Sequence, residues 1–287
     1  MAATLLDGKA LLDAVKDDLR VRIKRLAEHG VTPGLGTVLV GDDPPSHAYV
    51  RLKREDSAEI GIQSVHTELP ATTTQEELLR VIRRYNEDPA VDAYLVQVPL
   101  PPHLDEEAAL LAVSPAKDAD GLHPVNLGKL VMGVRNAPRP CTPLGIQALL
   151  VRHKVPIVGQ HVVIIGRGLT IGRPLANLHS LKEPHANATV TVCHTHTQFL
   201  PQYTKDADII VAAAGRPHLV TPDMVRPGAA VVGAGVTMEG RRVISDVDEG
   251  CAEVAGWITP RLGGVGPTTR AMLLRQTVEA AERRATR

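Results

Sequence analysis

The feature that most constrains this chain is a glycine-rich turn that lies past the middle of its 287 residues. The turn, GRGLTIG at residues 166–172, follows the apolar run HVVII and leads into RPLANL. This order predicts a strand, a tight turn and a helix, the context in which glycines let the backbone approach a pyrophosphate at a helix N-terminus. The spacing is G-x-G-x3-G rather than the common G-x-G-x2-G, so an ordinary strand-to-helix turn stays the alternative.

Helical periodicity alternates with short apolar runs along most of the chain, which predicts an α/β fold with a mostly parallel, wound sheet. Helices are expected at residues 11–26, 46–60, 75–86, 105–112, 143–153 and 268–284, and strands at residues 36–40, 64–69, 93–96, 161–165, 188–193, 208–212 and 229–232. Ser46 and Thr74 are predicted N-caps, and Gly61 is a predicted helix stop. Residues 114–141 and 259–267 are predicted loops, because they are rich in Pro and Gly and lack periodicity.

Composition excludes several classes of function. Basic and acidic residues balance at 32 each, so no net charge would attract nucleic acid or an anionic membrane. Cys141, Cys193 and Cys251 are odd in number, far apart and without a CxxC pair, which favours a reducing compartment over a disulfide scaffold. No segment has the apolar length that a bilayer span requires. We expect a soluble cytoplasmic protein.

A second group of polar residues precedes the glycine turn. Tyr49 and Lys53 are four residues apart on a predicted helix and therefore share one face, although such a pair is commonly a lysine stem packed on an aromatic ring. Gln97 ends an apolar strand, at the edge of a parallel sheet where ligands bind. Asp118 and Asp120 lie in the loop KDADG, which is either a solvated turn or a binding loop. No metal site is predicted, since no further ligands follow at a suitable spacing.

Five motifs occur in a fixed order around the glycine turn: YxxxK at 49–53, VQVPLP at 96–101, KDADG at 117–121, PCTP at 140–143 and GGVGP at 263–267. With them the chain resembles, over nearly its full length, the bifunctional methylenetetrahydrofolate dehydrogenase/methenyltetrahydrofolate cyclohydrolase (FolD) family. The resemblance implies a one-carbon enzyme that serves purine biosynthesis. It would oxidise 5,10-methylenetetrahydrofolate with NADP to the methenyl form and hydrolyse that product to 10-formyltetrahydrofolate.

The resemblance also implies an architecture. It predicts a homodimer whose partners are tetrahydrofolate derivatives, with no nucleic acid and no membrane. Each subunit would have a catalytic folate-binding domain at residues 1–140 plus 265–287, and a Rossmann-like NADP-binding domain at residues 141–264, with the folate in a cleft between them.

By the same resemblance, Lys53 is the central catalytic residue, with Tyr49 and Gln97 beside it. Because an ammonium cannot accept a proton, Lys53 would have to spend time neutral in order to act as a base. The predicted substrate-binding residues are Asp120, Tyr49, Gln97, Leu262, Gly263, Gly264 and Pro267. The predicted cofactor-binding residues are Gly166, Arg167, Gly168, Ile171, Gly172, His194, Thr195, Gly215 and Val236. NADP is expected rather than NAD, because the second strand of this domain ends in CHTHT without an acid, while Arg167 and Thr195 can meet a 2′-phosphate.

Three positions depart from the pattern of the family. Gly168 stands where a Ser is usual, Gly233 where an Asp is usual, and Leu262 where a Pro is usual. Gly233 and Leu262 motivate an alternative, a non-catalytic or monofunctional folate- or NADP-binding paralogue. A short-chain dehydrogenase also uses a Tyr-x3-Lys pair, but there the pair follows the glycine-rich turn, whereas here it precedes the turn.

Overall fold

Parallel strands form the centre of each of two units into which the protein divides; the structure, a computed structural model, describes residues 3–240 and 242–286. The strands are β1 (Thr4–Leu5), β2 (Gly34–Val40), β3 (Gln63–Leu69), β4 (Ala93–Val96), β5 (His161–Ile165), β6 (Thr189–Cys193), β7 (Ile209–Ala212), β8 (Ala230–Gly233), β9 (Val236–Glu239), β10 (Arg242–Ser245) and β11 (Trp257–Ile258). The α-helices are α1 (Gly8–Glu28), α2 (Pro44–Ile60), α3 (Gln75–Glu87), α4 (Glu106–Ala112), α5 (Pro124–Val131), α6 (Cys141–Arg152), α7 (Gly172–Ser180), α8 (Pro201–Thr204) and α9 (Val265–Ala285).

The first unit contains the glycine turn and comprises the chain up to Asp13, Leu130–Gly133 and Pro140–Ala271. Within the described residues its sheet has six parallel strands in the order β1-β11-β8-β7-β5-β6. Strands β5, β7 and β8 lie in the middle of the sheet and read as nearly continuous Val, Ile and Ala, because both faces of a parallel sheet are covered. The pair β9 and β10 is antiparallel and separate from this sheet.

The second unit contains Tyr49 and Lys53 and comprises Ala14–Lys129, Val134–Arg139 and the chain from Met272. Its described residues include a parallel sheet in the order β3-β2-β4. Tyr94 on β4 and Tyr85 on α3 are fully buried, with their rings edge to face and their centroids 5.4 Å apart. Such aromatic pairs add stability beyond the area that they bury.

The unit bounds differ from the predicted domain bounds at the N-terminus. β1 pairs with β11, and the backbone of Leu6 continues this contact by donating to the Ile258 carbonyl at 2.8 Å. The start of the chain therefore belongs to the first unit, and the division between the units falls within α1 and α9. The predicted termini at residues 1 and 287 lie outside the described residues.

Several local predictions are confirmed. The chain has the expected α/β alternation and mostly parallel strands. Thr74 forms a capping box with Glu77 at the start of α3. Gly61 ends α2 in the left-handed conformation with φ of 87°. In the described part of the chain, no helix combines the length and the apolar character needed to cross a membrane.

Other local predictions were wrong. Asp43, not Ser46, caps α2: its carboxylate accepts from the Ser46 N–H at 3.0 Å, because Pro44 and Pro45 occupy the first helical positions. Residues 124–131, predicted as a loop, form α5 with Pro124 at its start, and α9 begins at Val265 inside the predicted loop 259–267. Strands β1, β9, β10 and β11 were not predicted.

Candidate active site

Helix α2 presents Lys53 and Tyr49 in different environments. Lys53 belongs to the buried face of the helix, and only 8% of the residue is exposed. Tyr49, one turn earlier, is 48% exposed, so its ring is accessible. The prediction that both residues share a helix is confirmed.

Lys53 is held by Gln97, which directly follows β4. The Gln97 backbone N–H donates to the Val38 carbonyl at 2.8 Å and so extends the pairing of β4 with β2. Its side-chain Nε2 donates to the Val98 carbonyl at 2.7 Å, which leaves Oε1 to accept from Lys53 Nζ at 3.1 Å. The amine of Lys53 therefore has a neutral, oriented partner at the carboxyl end of the sheet.

The loop KDADG brings Asp120 to the same edge. Asp118 pairs with Tyr94 as an isolated parallel bridge, so the loop runs alongside β4 and Asp120 comes level with the end of that strand. The Asp118 carboxylate is buried and accepts from the backbone N–H groups of Gly121 and His123 at 3.0 and 2.8 Å, and from Asn126 Nδ2 at 2.9 Å. Asp118 thus shapes the loop, while Asp120 is left available.

Burial raises the pKa of the Asp120 carboxyl above its ordinary value; the nearby Lys53 ammonium opposes this rise, and Asp118 adds to it. The two charged groups are therefore close enough to influence each other. A partly buried carboxylate beside an oriented amine is typical of a binding or catalytic site rather than of a solvated turn.

Gln276 on α9 supports the same loop, and the sequence did not single it out. Its Nε2 donates to the Ala119 carbonyl at 3.0 Å, directly before Asp120, and its Oε1 accepts from the Arg139 N–H at 2.8 Å. These contacts join segments more than 130 residues apart, so no local sequence signal could have revealed them.

In the first unit, Gly166 and Gly172 close the turn between β5 and α7 by direct contact of backbone with backbone. Gly166 has φ of 121°, and a Cβ there would lie 2.1 Å from the Ala213 carbonyl oxygen. A Cβ at Gly172 would lie 2.1 Å from the Gly166 carbonyl oxygen. Both positions therefore require glycine. Gly168, by contrast, has open space where a Cβ would be.

The carboxyl edge of the six-stranded sheet fits a dinucleotide. Ile171, which precedes α7, supplies no side-chain cap, and the Arg173 N–H donates to the Gly168 carbonyl at 3.2 Å. The start of this helix therefore has no side chain that would compete with a phosphate for its N-terminal charge. Ile165 and Cys193 are register partners on β5 and β6, so Arg167 and Thr195 leave the sheet at adjacent positions. The segment after β6 carries no acid: His194 and Thr197 bond each other through backbone and hydroxyl groups at 2.8 Å.

The remaining predicted cofactor residues follow β7 and β8. Gly215 has φ of 65°, and its carbonyl accepts from the Thr237 hydroxyl at 3.1 Å, next to the exposed Val236. At Gly233, where the family usually has Asp, a Cβ would lie 2.5 Å from Ser245 Oγ. In this chain Ser245 therefore occupies the space that a side chain at position 233 would need.

The segment 262–267 follows β11 and starts α9. Leu262 is 61% exposed, and Gly263 has φ of 81°. The Gly263 carbonyl accepts from the Gly8 N–H at 2.9 Å, and a Cβ on Gly8 would lie 1.7 Å from the Gly264 carbonyl. Among the described residues, no group of three or more His, Cys, Asp or Glu side chains is arranged to hold a metal ion.

Comparison with known proteins places these two sites in one family. Residues 6–120 match the model of the catalytic domain of tetrahydrofolate dehydrogenase/cyclohydrolase, and residues 140–285 match that of its NAD(P)-binding domain. The bifunctional protein FolD of Syntrophotalea carbinolica is 55% identical over 287 residues, which is 100% of this chain and 99% of that protein.

Solved structures agree with this assignment. The bifunctional FolD enzyme of Campylobacter jejuni superposes with a TM-score of 0.95 at 42% identity, covering 99% of this chain and 100% of that one. The Trypanosoma brucei enzyme, solved with NADP cofactor and an inhibitor, has a TM-score of 0.93 at 40% identity, with 99% of each chain covered.

Proposed function

The chain belongs to the tetrahydrofolate dehydrogenase/cyclohydrolase family, and we propose which of its side chains carry the two reactions of that family. It oxidises 5,10-methylenetetrahydrofolate to the methenyl form with NADP, and it hydrolyses that product to 10-formyltetrahydrofolate. The observation that supports our assignment best is the contact of Lys53 Nζ with Gln97 Oε1 at 3.1 Å, with Asp120 close to both at the end of β4.

In this proposal Lys53 moves the proton of the hydrolysis step. Water adds to the methenyl carbon, and Lys53 Nζ accepts the proton that the water loses. When the carbon–nitrogen bond to N5 breaks, Lys53 returns this proton to N5, and the hydroxyl group on the carbon loses its own proton to solvent as the formyl carbonyl forms. One proton is therefore released per turnover, because the methenyl substrate is a cation and the formyl product is neutral at this group.

Gln97 and Asp120 are proposed to orient the reacting groups. The amide of Gln97 orients the Lys53 amine, because its Oε1 accepts from Lys53 Nζ at 3.1 Å. The Asp120 carboxylate can accept two parallel N–H bonds from the aminopyrimidinone edge of the pterin. The exposed ring of Tyr49 offers an apolar surface for the substrate, one helical turn from Lys53. Substrate contacts by Leu262, Gly263, Gly264 and Pro267 stay a prediction.

The first unit is proposed to bind the cofactor and the second to carry out the folate chemistry. NADP, when bound, accepts the hydride that leaves the bridging carbon of the substrate. The start of α7 and the backbone of residues 166–172 would hold the pyrophosphate. The Arg167 guanidinium and the Thr195 hydroxyl would meet the 2′-phosphate, and the absence of an acid in residues 193–197 removes the group that usually selects NAD.

We also propose a homodimer in a reducing, cytoplasmic compartment. β6 is an edge strand of the six-stranded sheet, with Val192 more than one-third exposed, and exposed edges of this kind favour pairing with another chain. Cys193 and Cys251 are buried and form no disulfide within the described residues, which is typical of proteins in reducing compartments. Sedimentation at several protein concentrations tests the dimer.

The function is tested by mixing the purified protein with methylenetetrahydrofolate and NADP and following the methenyl chromophore. NADP-dependent formation and subsequent decay of this chromophore is expected. Binding of both ligands without any turnover would instead favour the non-catalytic paralogue.

The role of Lys53 is tested by Lys53→Met, which keeps most of the apolar stem but removes the amine. We expect cyclohydrolase activity to fall about 10²- to 10⁴-fold, the usual contribution of a positioned acid or base. The dehydrogenase should fall less, because hydride transfer depends chiefly on alignment, so methenyltetrahydrofolate should accumulate. Lys129→Met, which removes a half-buried amine from α5 of the same unit, is the matched control and should change neither activity. Hydrolysis at nearly the wild-type rate in folded Lys53→Met would assign the base to another group.

A further inference from the structure

Asp246 is a buried carboxylate to which the proposed chemistry gives no role. It directly follows β10 and is fully buried. Its Oδ2 accepts two backbone N–H bonds, from Ala214 at 2.7 Å and from Gly215 at 2.8 Å. Within residues 3–240 and 242–286, its Oδ1 has no hydrogen-bond partner and no basic side chain forms an ion pair with it. A buried charge of this kind is costly unless its hydrogen bonds are strong.

The segment that Asp246 holds lies directly on the glycine turn. Ala213, at the start of this segment, donates its N–H to the Ile165 carbonyl at 2.7 Å. A Cβ on Gly166 would lie only 2.1 Å from the Ala213 carbonyl oxygen, so this carbonyl packs directly against the turn. Movement of residues 213–215 would therefore change the surface against which the turn at 166–172 is packed.

Gly235 also packs directly against the Asp246 carboxylate. A Cβ on Gly235 would lie 2.0 Å from Asp246 Oδ2, so only glycine fits there. The Gly235 N–H donates to the Ala212 carbonyl at 2.9 Å, and the Gly235 carbonyl accepts from the Asp246 N–H at 3.1 Å. Asp246 thus ties the ends of β7, β8 and β10 into one hydrogen-bonded group at the carboxyl edge of the sheet.

We propose that Asp246 is a positioning residue for the nicotinamide dinucleotide. Its carboxylate fixes two consecutive N–H groups after β7, and so keeps residues 213–215 in the conformation that the cofactor meets beside the glycine turn. The carboxylate acts through this segment and does not itself touch the cofactor. This inference rests on the proposed binding of NADP by the first unit.

The test uses the full-length protein with Asp246→Asn, which preserves shape but removes the charge. The KM for NADP and its dissociation constant, from calorimetric titration, should both rise about 3- to 30-fold, because two charge-assisted hydrogen bonds become neutral ones. The kcat at saturating NADP should change less than threefold. Cyclohydrolase activity, which uses no nicotinamide, should stay within about twofold of the wild type, and a merely structural defect would lower both activities together.

Asp248→Asn is the matched control: this carboxylate, two residues on and more exposed, accepts from the Gly250 N–H at 2.8 Å. It should leave the KM for NADP unchanged. A folded Asp246→Asn protein with an unchanged KM for NADP, or one in which both activities fall in parallel, overturns the proposal.

If Asp246→Asn does not fold, Thr237→Val provides the test, since it removes the hydroxyl that donates to the Gly215 carbonyl of the same segment. A rise of about 2- to 5-fold in the KM for NADP, with cyclohydrolase unchanged, is then expected, and no rise overturns the proposal. A wild-type protein that neither binds nor reduces NADP would refute the proposed function itself, which separates the two failures.

Discussion

His179 makes the first unit sensitive to acid, and His179→Leu should remove this sensitivity. The imidazole lies on α7 and is fully buried. Neither ring nitrogen has a hydrogen-bond partner in the described part of the chain. Burial consequently lowers the pKa of His179 to about 4, because the charged imidazolium has neither solvent nor an acceptor to stabilise it.

The sign and size of the effect follow from linkage. In the unfolded chain an imidazole has a pKa of about 6.5, so on acidification the unfolded state binds a proton before the folded state does. The stability is intact above about pH 6.5 and is lost progressively as the pH falls towards 4. A difference of about 2.5 pKa units corresponds to roughly 3 kcal/mol in total, of which about 2 kcal/mol is lost between pH 7 and pH 5.

The assay uses the one tryptophan of the chain. Trp257 lies on β11, in the same unit as His179, so its fluorescence reports the unfolding of that unit. Urea unfolding of the wild type and of His179→Leu is compared at pH 7 and pH 5. The loss of unfolding free energy between these pH values should be about 2 kcal/mol smaller for His179→Leu. At pH 7 the variant should be at least as stable, because it removes two unpaired polar atoms.

Other acid-sensitive groups contribute equally to the wild type and to His179→Leu. Their contributions therefore cancel when the pH-dependent losses of unfolding free energy of the two proteins are subtracted. His185→Leu, at an exposed position of the same unit, is the control and should lose as much stability as the wild type. Equal pH dependence of the wild type and His179→Leu would refute the reasoning, since it would mean that the buried imidazole finds a partner for its proton.

Three further predictions concern the two binding sites. Arg167→Ala should raise the KM for NADP about 10- to 100-fold more than that for NAD, if one charge-assisted bond to the 2′-phosphate is lost; equal changes would show that Arg167 does not read the phosphate. Asp120→Asn should raise the folate KM in both reactions, because one acceptor becomes a donor facing an N–H, whereas unchanged folate binding in a calorimetric titration would contradict this role. Gly172→Ala should raise the KM for NADP strongly because its Cβ meets the Gly166 carbonyl, while Gly168→Ser should not; similar values for both would refute the steric argument.

The fold was predictable where local signals decide the structure. The capping box of Thr74 and the left-handed Gly61 mark helix ends within a few residues of sequence. Prediction failed where distant pairing decides. β1 has two residues and exists because it pairs with β11, about 250 positions away. The N-cap of α2 was assigned wrongly because Asp and Ser are both common N-cap residues. Pro44 and Pro45 fit the first helical positions, so the helix begins before Ser46 and Asp43 becomes its cap.

The sites were predictable as residues but not as arrangements. Gln97 was recognisable because it ends an apolar strand, and this follows from the sequence alone. That Asp120 lies level with it depends on the parallel bridge of Asp118 with Tyr94, which a loop sequence does not encode locally. The role of Asp246 could not be predicted from the sequence. Its partners lie 31 and 32 residues away, and they are backbone N–H groups, which do not depend on residue type.

Two departures from the family pattern, Gly168 and Gly233, can be explained by the space around each residue. Gly166 and Gly172 touch backbone atoms, which cannot be exchanged by substitution, so any side chain there must displace the main chain. Gly168 faces open space, and the loss of the usual hydroxyl therefore requires no rearrangement. Gly233 differs again, because Ser245 Oγ occupies the space of its missing side chain while the Gly233 N–H still donates to Thr259 Oγ1 at 2.8 Å. An Asp at position 233 would have to displace Ser245, the last residue of β10, so the two positions must be changed together.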